Sequence, residues 1–189
     1  MQQSGEYRIG APREVVWRAL NDPDVLAKCI DGCLAMTKTA DDAFEATVKA
    51  KVGPVSATFK ADLKLTDIDA PSAYTLNASV KGGAAGFGKG VARVRLAEDG
   101  AVTVLRYEVE GNVGGKLAQV GQRLIDGAAR KMADDFFGSF GQAIAPGETQ
   151  KVVAPQVAAG VAEERETSGR WIIWIVVFVV LIAAILLAS

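Results

Sequence analysis

Apolar and polar residues alternate with period two over long stretches of this chain, and that alternation predicts most of its elements. Over Val55–Thr66 it is complete. Val55, Ala57, Phe59, Ala61, Leu63 and Leu65 fall on one side, and Ser56, Thr58, Lys60, Asp62, Lys64 and Thr66 on the other. Phe44–Val52, Tyr74–Lys81, Ala92–Leu96 and, less regularly, Thr103–Glu110 follow the same rule. Strands with one apolar face build an antiparallel sheet that is covered on that face and wet on the other. The period then changes. In Gly114–Ile144 the apolar positions Leu117, Val120, Leu124, Ala128, Met132, Phe136 and Phe140 recur at three and four residues, one stripe on one long helix. Ahead of the sheet, Pro12–Leu20 reads as a short helix with proline at its first position. Asn21-Asp22-Pro23 ends it and opens a second, with Asp22 as N-cap and Pro23 at N1. The expected fold is α+β: a helix-grip domain over residues 1–145, in which a curved antiparallel sheet grips one long C-terminal helix.

The end of the chain has no period. Trp171–Ala188 carries no charged residue, and its only side-chain polar groups are the indole N–H groups of Trp171 and Trp174. As a helix it spans roughly 27 Å, the thickness of a bilayer's hydrocarbon core. The sequence therefore predicts a single transmembrane anchor over 170–189, with Trp171 and Trp174 at the headgroup level and Phe178 in the apolar part. Arg165 and Arg170 precede the run and only Ser189 follows it, which puts the preceding domain on the cytoplasmic side. The expected location is the inner (cytoplasmic) membrane, reached by insertion after synthesis. Residues 146–169, rich in Pro, Gly, Ala, Glu and Thr, read as a flexible linker between domain and anchor.

The face of the sheet that must be covered is unusually small. Ala46, Ala50, Ala57, Ala61, Ala78 and Ala92 point inward by parity, and the helical stretch adds Gly121, Gly127, Ala128 and Ala129. Sheets normally fill the space beneath a helix with Val, Ile, Leu and Phe. Two readings follow: helix and sheet approach closely, or a volume is left for a guest. The second is preferred, because a curved sheet lifts away from a straight helix. Phe44, Ala57, Phe59, Ala61, Tyr74, Tyr107, Leu117, Val120, Leu124 and Phe136 would then line an apolar tunnel suited to an extended apolar ligand. Phe87, between glycines at a loop tip, would gate its mouth or touch lipid or a partner; folding inward to close the core is the alternative.

Charge and chemistry exclude more than they assign. The net charge is −1 with both signs interspersed, so no basic face for nucleic acid is indicated. The chain has no histidine, the commonest general base and metal ligand. Cys29 and Cys33 lack the spacing of a redox or zinc pair. The glycine-rich stretch Lys81–Gly90 lacks the Gly-Lys-Ser/Thr ending of a phosphate loop and joins two strands, so a mobile hairpin is expected. The carboxylate pairs Asp41/Asp42, Asp67/Asp69 and Asp134/Asp135 read as solvated surface. No nucleophile is paired with a base, no metal site is expected, and the chain is not expected to be an enzyme.

An ordered series of short motifs is familiar. It begins with Gly5-Glu6-Tyr7-Arg8-Ile9, Ala11-Pro12-Arg13-Glu14-Val15-Val16-Trp17, Leu20-Asn21-Asp22-Pro23 and Cys29-Ile30-Asp31-Gly32-Cys33. It continues through Phe44–Val55, Gly82-Gly83-Ala84-Ala85-Gly86-Phe87 and Gly114–Gly121. Over about residues 2–144 these resemble the carbon monoxide dehydrogenase G-subunit family, within the START/polyketide-cyclase-like superfamily. The family usually has proline where Asp31 stands, and many members lack a membrane tail. The resemblance implies a START-like helix-grip fold and an accessory role beside the molybdenum CO dehydrogenase complex, which the protein would recruit to the membrane. It also implies binding of a respiratory quinone (menaquinone or ubiquinone) as electron acceptor, with the catalytic metal held by the dehydrogenase. Two alternatives remain: a structural tether without ligand, and a cyclase or hydratase whose acid–base group would be Tyr107 or a strand carboxylate.

Overall fold

The computed structural model describes residues 2–145 and the backbone of 149–151. The chain opens with strand β1 (Gln2–Ile9), followed by α1 (Arg13–Leu20) and α2 (Pro23–Cys29). Six strands come next: β2 (Cys33–Ala40), β3 (Ala43–Val52), β4 (Val55–Asp69), β5 (Ala73–Lys81), β6 (Phe87–Asp99) and β7 (Val102–Gly114). Helices α3 (Lys116–Gln119) and α4 (Gln122–Ile144) follow, then a short β8 (Thr149–Lys151). One sheet, antiparallel throughout, runs in the order β2-β3-β4-β5-β6-β7-β1-β8.

The strands β3 to β7 form where alternation predicts them. Along β4 the inward Phe59, Ala61, Leu63 and Leu65 are buried, and the residues between them are exposed or half-buried. Helix α4 packs against β1 and β3, strands near opposite ends of the sheet order, so the sheet curves around the helix. Helices α1 and α2 close the remaining side, with α2 against β2 and α4. Asp22 caps α2 as expected: its Oδ1 accepts from Asp24 N at 2.9 Å and Val25 N at 3.4 Å. Pro12 sits at the N-cap of α1 rather than inside it.

The single long helix expected over Gly114–Ile144 is two. Gly121 takes φ +95°, a left-handed conformation that an α-helix cannot continue through, and it separates α3 from α4. The expected stripe otherwise holds across that break: Leu117, Ala128, Met132, Phe136 and Phe140 are buried and Val120 is half-buried. Ile125, Ala128, Ala129, Met132, Ala133, Phe136, Phe137 and Phe140 are buried along α4, while Leu124, placed in the expected stripe, is 58% exposed. Among the described residues the chain also forms three strands beyond the five read from alternation: β1 pairs with β7 from Gln2↔Glu110 to Ile9↔Thr103, β2 covers the edge of β3, and β8 covers the edge of β1. Residues 149–151, inside the expected linker, pair with β1. The expected anchor, with Trp171, Trp174 and Phe178, lies outside the described residues. Among the described residues no helix is long and apolar enough to cross a membrane.

Candidate functional site: an apolar cavity beside a tyrosine pair

The alanines of the inward face are where parity puts them: Ala46, Ala50, Ala61, Ala78 and Ala92 are buried, and Ala57 is half-buried. The space they leave is mostly filled. Phe59 occupies one end of the sheet, where a Cβ at Gly82 would fall inside its ring. Leu117 is buried, and Val120 lies against the β3–β4 turn, 3.2 Å from the place a Cβ would take on Gly53.

Under the other half of the sheet lies a cavity of about 100 Å³. Its walls come from every layer. Leu20, Leu26 and Ile30 descend from α1 and α2, Met36 comes from β2, and Phe44, Leu63, Leu65, Tyr74, Leu76, Ala92, Val94, Leu105 and Tyr107 come from the sheet. Phe136 and Phe137 of α4 close it. Of the expected lining residues, Phe44, Tyr74, Tyr107 and Phe136 thus meet at one site. Ala57, Phe59, Ala61, Leu117, Val120, Leu124 and Phe87 do not line it. They lie toward the end of the sheet where Phe59 and the loop after β5 pack the interior.

Phe87 is 42% exposed, and its ring lies across Gly114, where a Cβ would collide with it. The loop before it is docked, not free-standing. Residues Gly83–Ala85 form a turn of 3-10 helix, Ala85 is buried, and the backbone at Gly86 packs directly on Gly114 and Gly115. That approach leaves no room for side chains at Gly86 or Gly115, both at positive φ.

The cavity's polar groups are tyrosines. Tyr107 borders it, and its ring stacks with Phe137 at 5.7 Å and with Tyr7 at 6.1 Å. Tyr7 stacks on Phe137 at 4.3 Å and donates its hydroxyl to Asp134 Oδ1 at 2.5 Å. Gln3 Nε2 donates to the Tyr107 hydroxyl at 3.5 Å, and Gln3 Oε1 is buried without a hydrogen-bond partner among the described residues. Gly5 makes room for Tyr107, since a Cβ there would stand 2.6 Å from the phenol oxygen. Burial pushes the pKa of the Tyr7 phenol well above the usual tyrosine range, with the Asp134 hydrogen bond adding to it. Burial alone does the same to Tyr74, which meets Trp17 edge-on at 5.6 Å. All these phenols are neutral donors at physiological pH. Asp134, read from sequence as surface, is therefore a member of a partly buried network. Its neighbour Asp135 pairs with Lys131 at 2.6 Å on the outer flank.

This arrangement can hold a small apolar group and offer phenol hydrogen bonds. Cys29 is buried and Cys33 half-buried, both as free thiols. Among the described residues no group of three metal-ligating side chains converges.

Comparison with solved structures places the fold. A conserved protein from Geobacillus kaustophilus superposes with a TM-score of 0.73 at 30% identity, covering 79% of this chain and 99% of that one. A protein from Thermus thermophilus (TM-score 0.58, 11% identity, 76% of this chain and 97% of that one) shares the fold. So does one from Chromobacterium violaceum (0.55, 14%, 77% and 98%). No curated protein matches the sequence. The profile of the carbon monoxide dehydrogenase G-subunit (CoxG) family matches residues 5–145, from within β1 to just past the end of α4, and the chain belongs to that family.

Proposed function

We propose that this protein is a non-catalytic accessory factor of the molybdenum CO dehydrogenase. It recruits that enzyme to the inner membrane and carries a respiratory quinone between bilayer and enzyme. The observation that supports the accessory role is the family match over residues 5–145. The apolar run Trp171–Ala188 supports the membrane location: it is long enough to span a bilayer and is joined to the domain by a linker. The apolar cavity with a tyrosine on its wall supports the ligand, since a quinone offers carbonyl acceptors to a phenol and an apolar body to the rest. Electron transfer chemistry then belongs to the enzyme and its metal.

The size of the cavity constrains how a guest enters. At about 100 Å³ it is smaller than the roughly 150 Å³ cavity that admits benzene in an engineered protein. A quinone with an isoprenoid chain therefore requires α2 and β2, which carry Leu26, Ile30 and Met36, to part from α4. The small volume equally favours a second reading, a tether that holds the dehydrogenase at the membrane and binds no ligand.

One preparation separates the two. The full-length protein, solubilised from native membranes in detergent and extracted for mass spectrometry, yields a near-stoichiometric quinone if it is a carrier and none if it is a tether. Deleting 170–189 releases the dehydrogenase from the membrane fraction under both readings. If the enzyme stays with the membrane after that deletion, the recruiting role fails.

A further inference from the structure

One end of the domain is built from segments that contain no acid. This end gathers the β3–β4 turn, the loop between β5 and β6, α3 and the first turn of α4. Neither Ala46–Ala61 nor Ser79–Ala97 nor Gly111–Ile125 contains an aspartate or glutamate, although the chain as a whole has as many acids as bases to within one charge. On the outer face of the sheet, Lys60 of β4 and Lys81 of β5 stand directly opposite each other. Lys49 and Lys51 lie on the same face of the neighbouring strand, where Thr47 is the partner of Lys60. All four are exposed, and none forms an ion pair among the described residues.

Like charges also face each other elsewhere on the sheet, Arg95 opposite Arg106 and Glu45 opposite Asp62, but most of the cations there have a carboxylate partner. Arg106 pairs with Glu6 at 2.5 Å, Arg93 with Glu110 at 3.7 Å, Lys64 with Asp42 at 3.9 Å, and Arg8 with Asp99. Like charges directly opposite across strands destabilise a sheet, so the Lys60–Lys81 pair works against the fold that carries it. Beside this lysine field two large apolar side chains stand in solvent. Phe87, the cross-strand neighbour of Lys81, is 42% exposed. Leu124, whose Cδ1 is 4.0 Å from where a Cβ would sit on Gly53, is 58% exposed.

We infer that this end is a membrane-docking tip: Phe87 and Leu124 enter the headgroup region of an anionic bilayer while Lys49, Lys51, Lys60 and Lys81 meet its phosphates. Exposed aromatic and aliphatic side chains ringed by lysines are the composition of interfacial membrane contacts, because the long lysine stems lie along apolar surface and keep the charge at the phosphates. An acidic protein surface matches the charge but leaves Phe87 and Leu124 unexplained. The inference shares with the proposed function only the premise that the chain works at a membrane. It adds that the domain lies against the bilayer in one orientation instead of swinging on its tether.

The test uses the full chain reconstituted in vesicles of phosphatidylcholine alone or of equal parts phosphatidylcholine and phosphatidylglycerol, followed by amide hydrogen exchange. Residues 49–60 and 81–90 exchange more slowly in the anionic vesicles, high salt reverses the effect, and K60E/K81E abolishes it while the tail still resists carbonate extraction. Each lysine at an anionic surface strengthens binding about fivefold, so the milder K60Q/K81Q variant lowers affinity for the anionic vesicles about twenty-fivefold. Equal exchange in the two vesicles with an inserted tail overturns the docking tip, as does a slowing that survives charge reversal and salt. Slowing in neutral vesicles only on addition of the dehydrogenase also overturns it and gives the patch to the enzyme. A tail that carbonate extracts ends the anchor reading alone. Salt-sensitive co-sedimentation with anionic vesicles, weakened by K60Q/K81Q, then still supports the tip, and its absence overturns it.

Discussion

Tyr7 shows how far one residue's role can depart from its place in a pattern. It sits in a strand that begins Gln-Gln-Ser-Gly and shows no apolar run, yet it is 3% exposed and joins two layers: the sheet through its backbone in β1, and α4 through its ring on Phe137 and its hydroxyl on Asp134. Replacing it with phenylalanine keeps the stacking and removes the hydrogen bond, so Tyr7→Phe is expected to cost about 1–3 kcal/mol. Urea unfolding measures that loss, and combining the change with Asp134→Asn should give less than the sum of the two, since they share one bond. Cys29 makes a prediction of a different kind. Burial pushes its thiol up from 9.0 to about 11. The folded state thus holds this proton after the unfolded chain has lost it. The stability contributed by the neutral thiol is complete below pH 9 and declines as the pH rises from 9 to about 11. With no histidine in the chain, no side chain changes charge at its ordinary value near neutrality. The unfolding midpoint is expected to be level between about pH 6 and 8, then to fall above pH 9, and Cys29→Ala should flatten the first part of that fall.

At the scale of the element, the break at Gly121 decides where α4 points its faces. No heavy atom lies within 4 Å of a Cβ added there, so the obstacle to a side chain is the backbone alone, at φ +95°. Gly121→Ala is expected to destabilise the domain by about 1–2 kcal/mol, measured by thermal or urea unfolding. If stability were unchanged, the left-handed turn would not be needed to separate the helices. A glycine inside an otherwise regular three-and-four pattern does not disclose in sequence that its φ is positive, so the stripe was readable and the break beside Leu124 was not. The strands divide in the same way. β3 to β7 are long, alternate over most of their length and are visible as strands. β1 is hidden because its first half is polar and its Gly5 is kept bare for Tyr107, and β2 because bulges after Cys33 and Lys38 spoil its alternation. The cavity follows from both. Parity is enough to aim Phe44, Tyr74 and Tyr107 inward, and the stripe reaches Phe136. Which half of the inward face stays open depends on α2 and β2, elements too short to show how they close over the sheet, and so Leu26, Ile30 and Met36 were not legible as walls.

For the whole molecule, the size of that opening links stability to function. Ala92 lines the cavity and is 3% exposed, so a larger side chain there grows into empty space instead of into a neighbour. Ala92→Val adds two buried methyl-sized groups at about 0.8 kcal/mol each, less the cost of any imperfect fit, and is expected to raise stability by about 1 kcal/mol. The same methyl groups remove part of a volume of about 100 Å³ that a guest must use. A carrier therefore becomes more stable and less loaded at once: quinone recovered per protein falls, while the fraction of protein in the membrane and the amount of dehydrogenase held there stay unchanged. A tether shows only the gain in stability. If Ala92→Val leaves quinone recovery intact, the ligand lies somewhere other than this cavity. If it releases the dehydrogenase, the cavity wall reports to the docking surface and the two functions are not separable. The alanines that face the sheet's interior thus have a measurable meaning. In a protein selected only to be a stable hook, filling the space beside them would carry no cost.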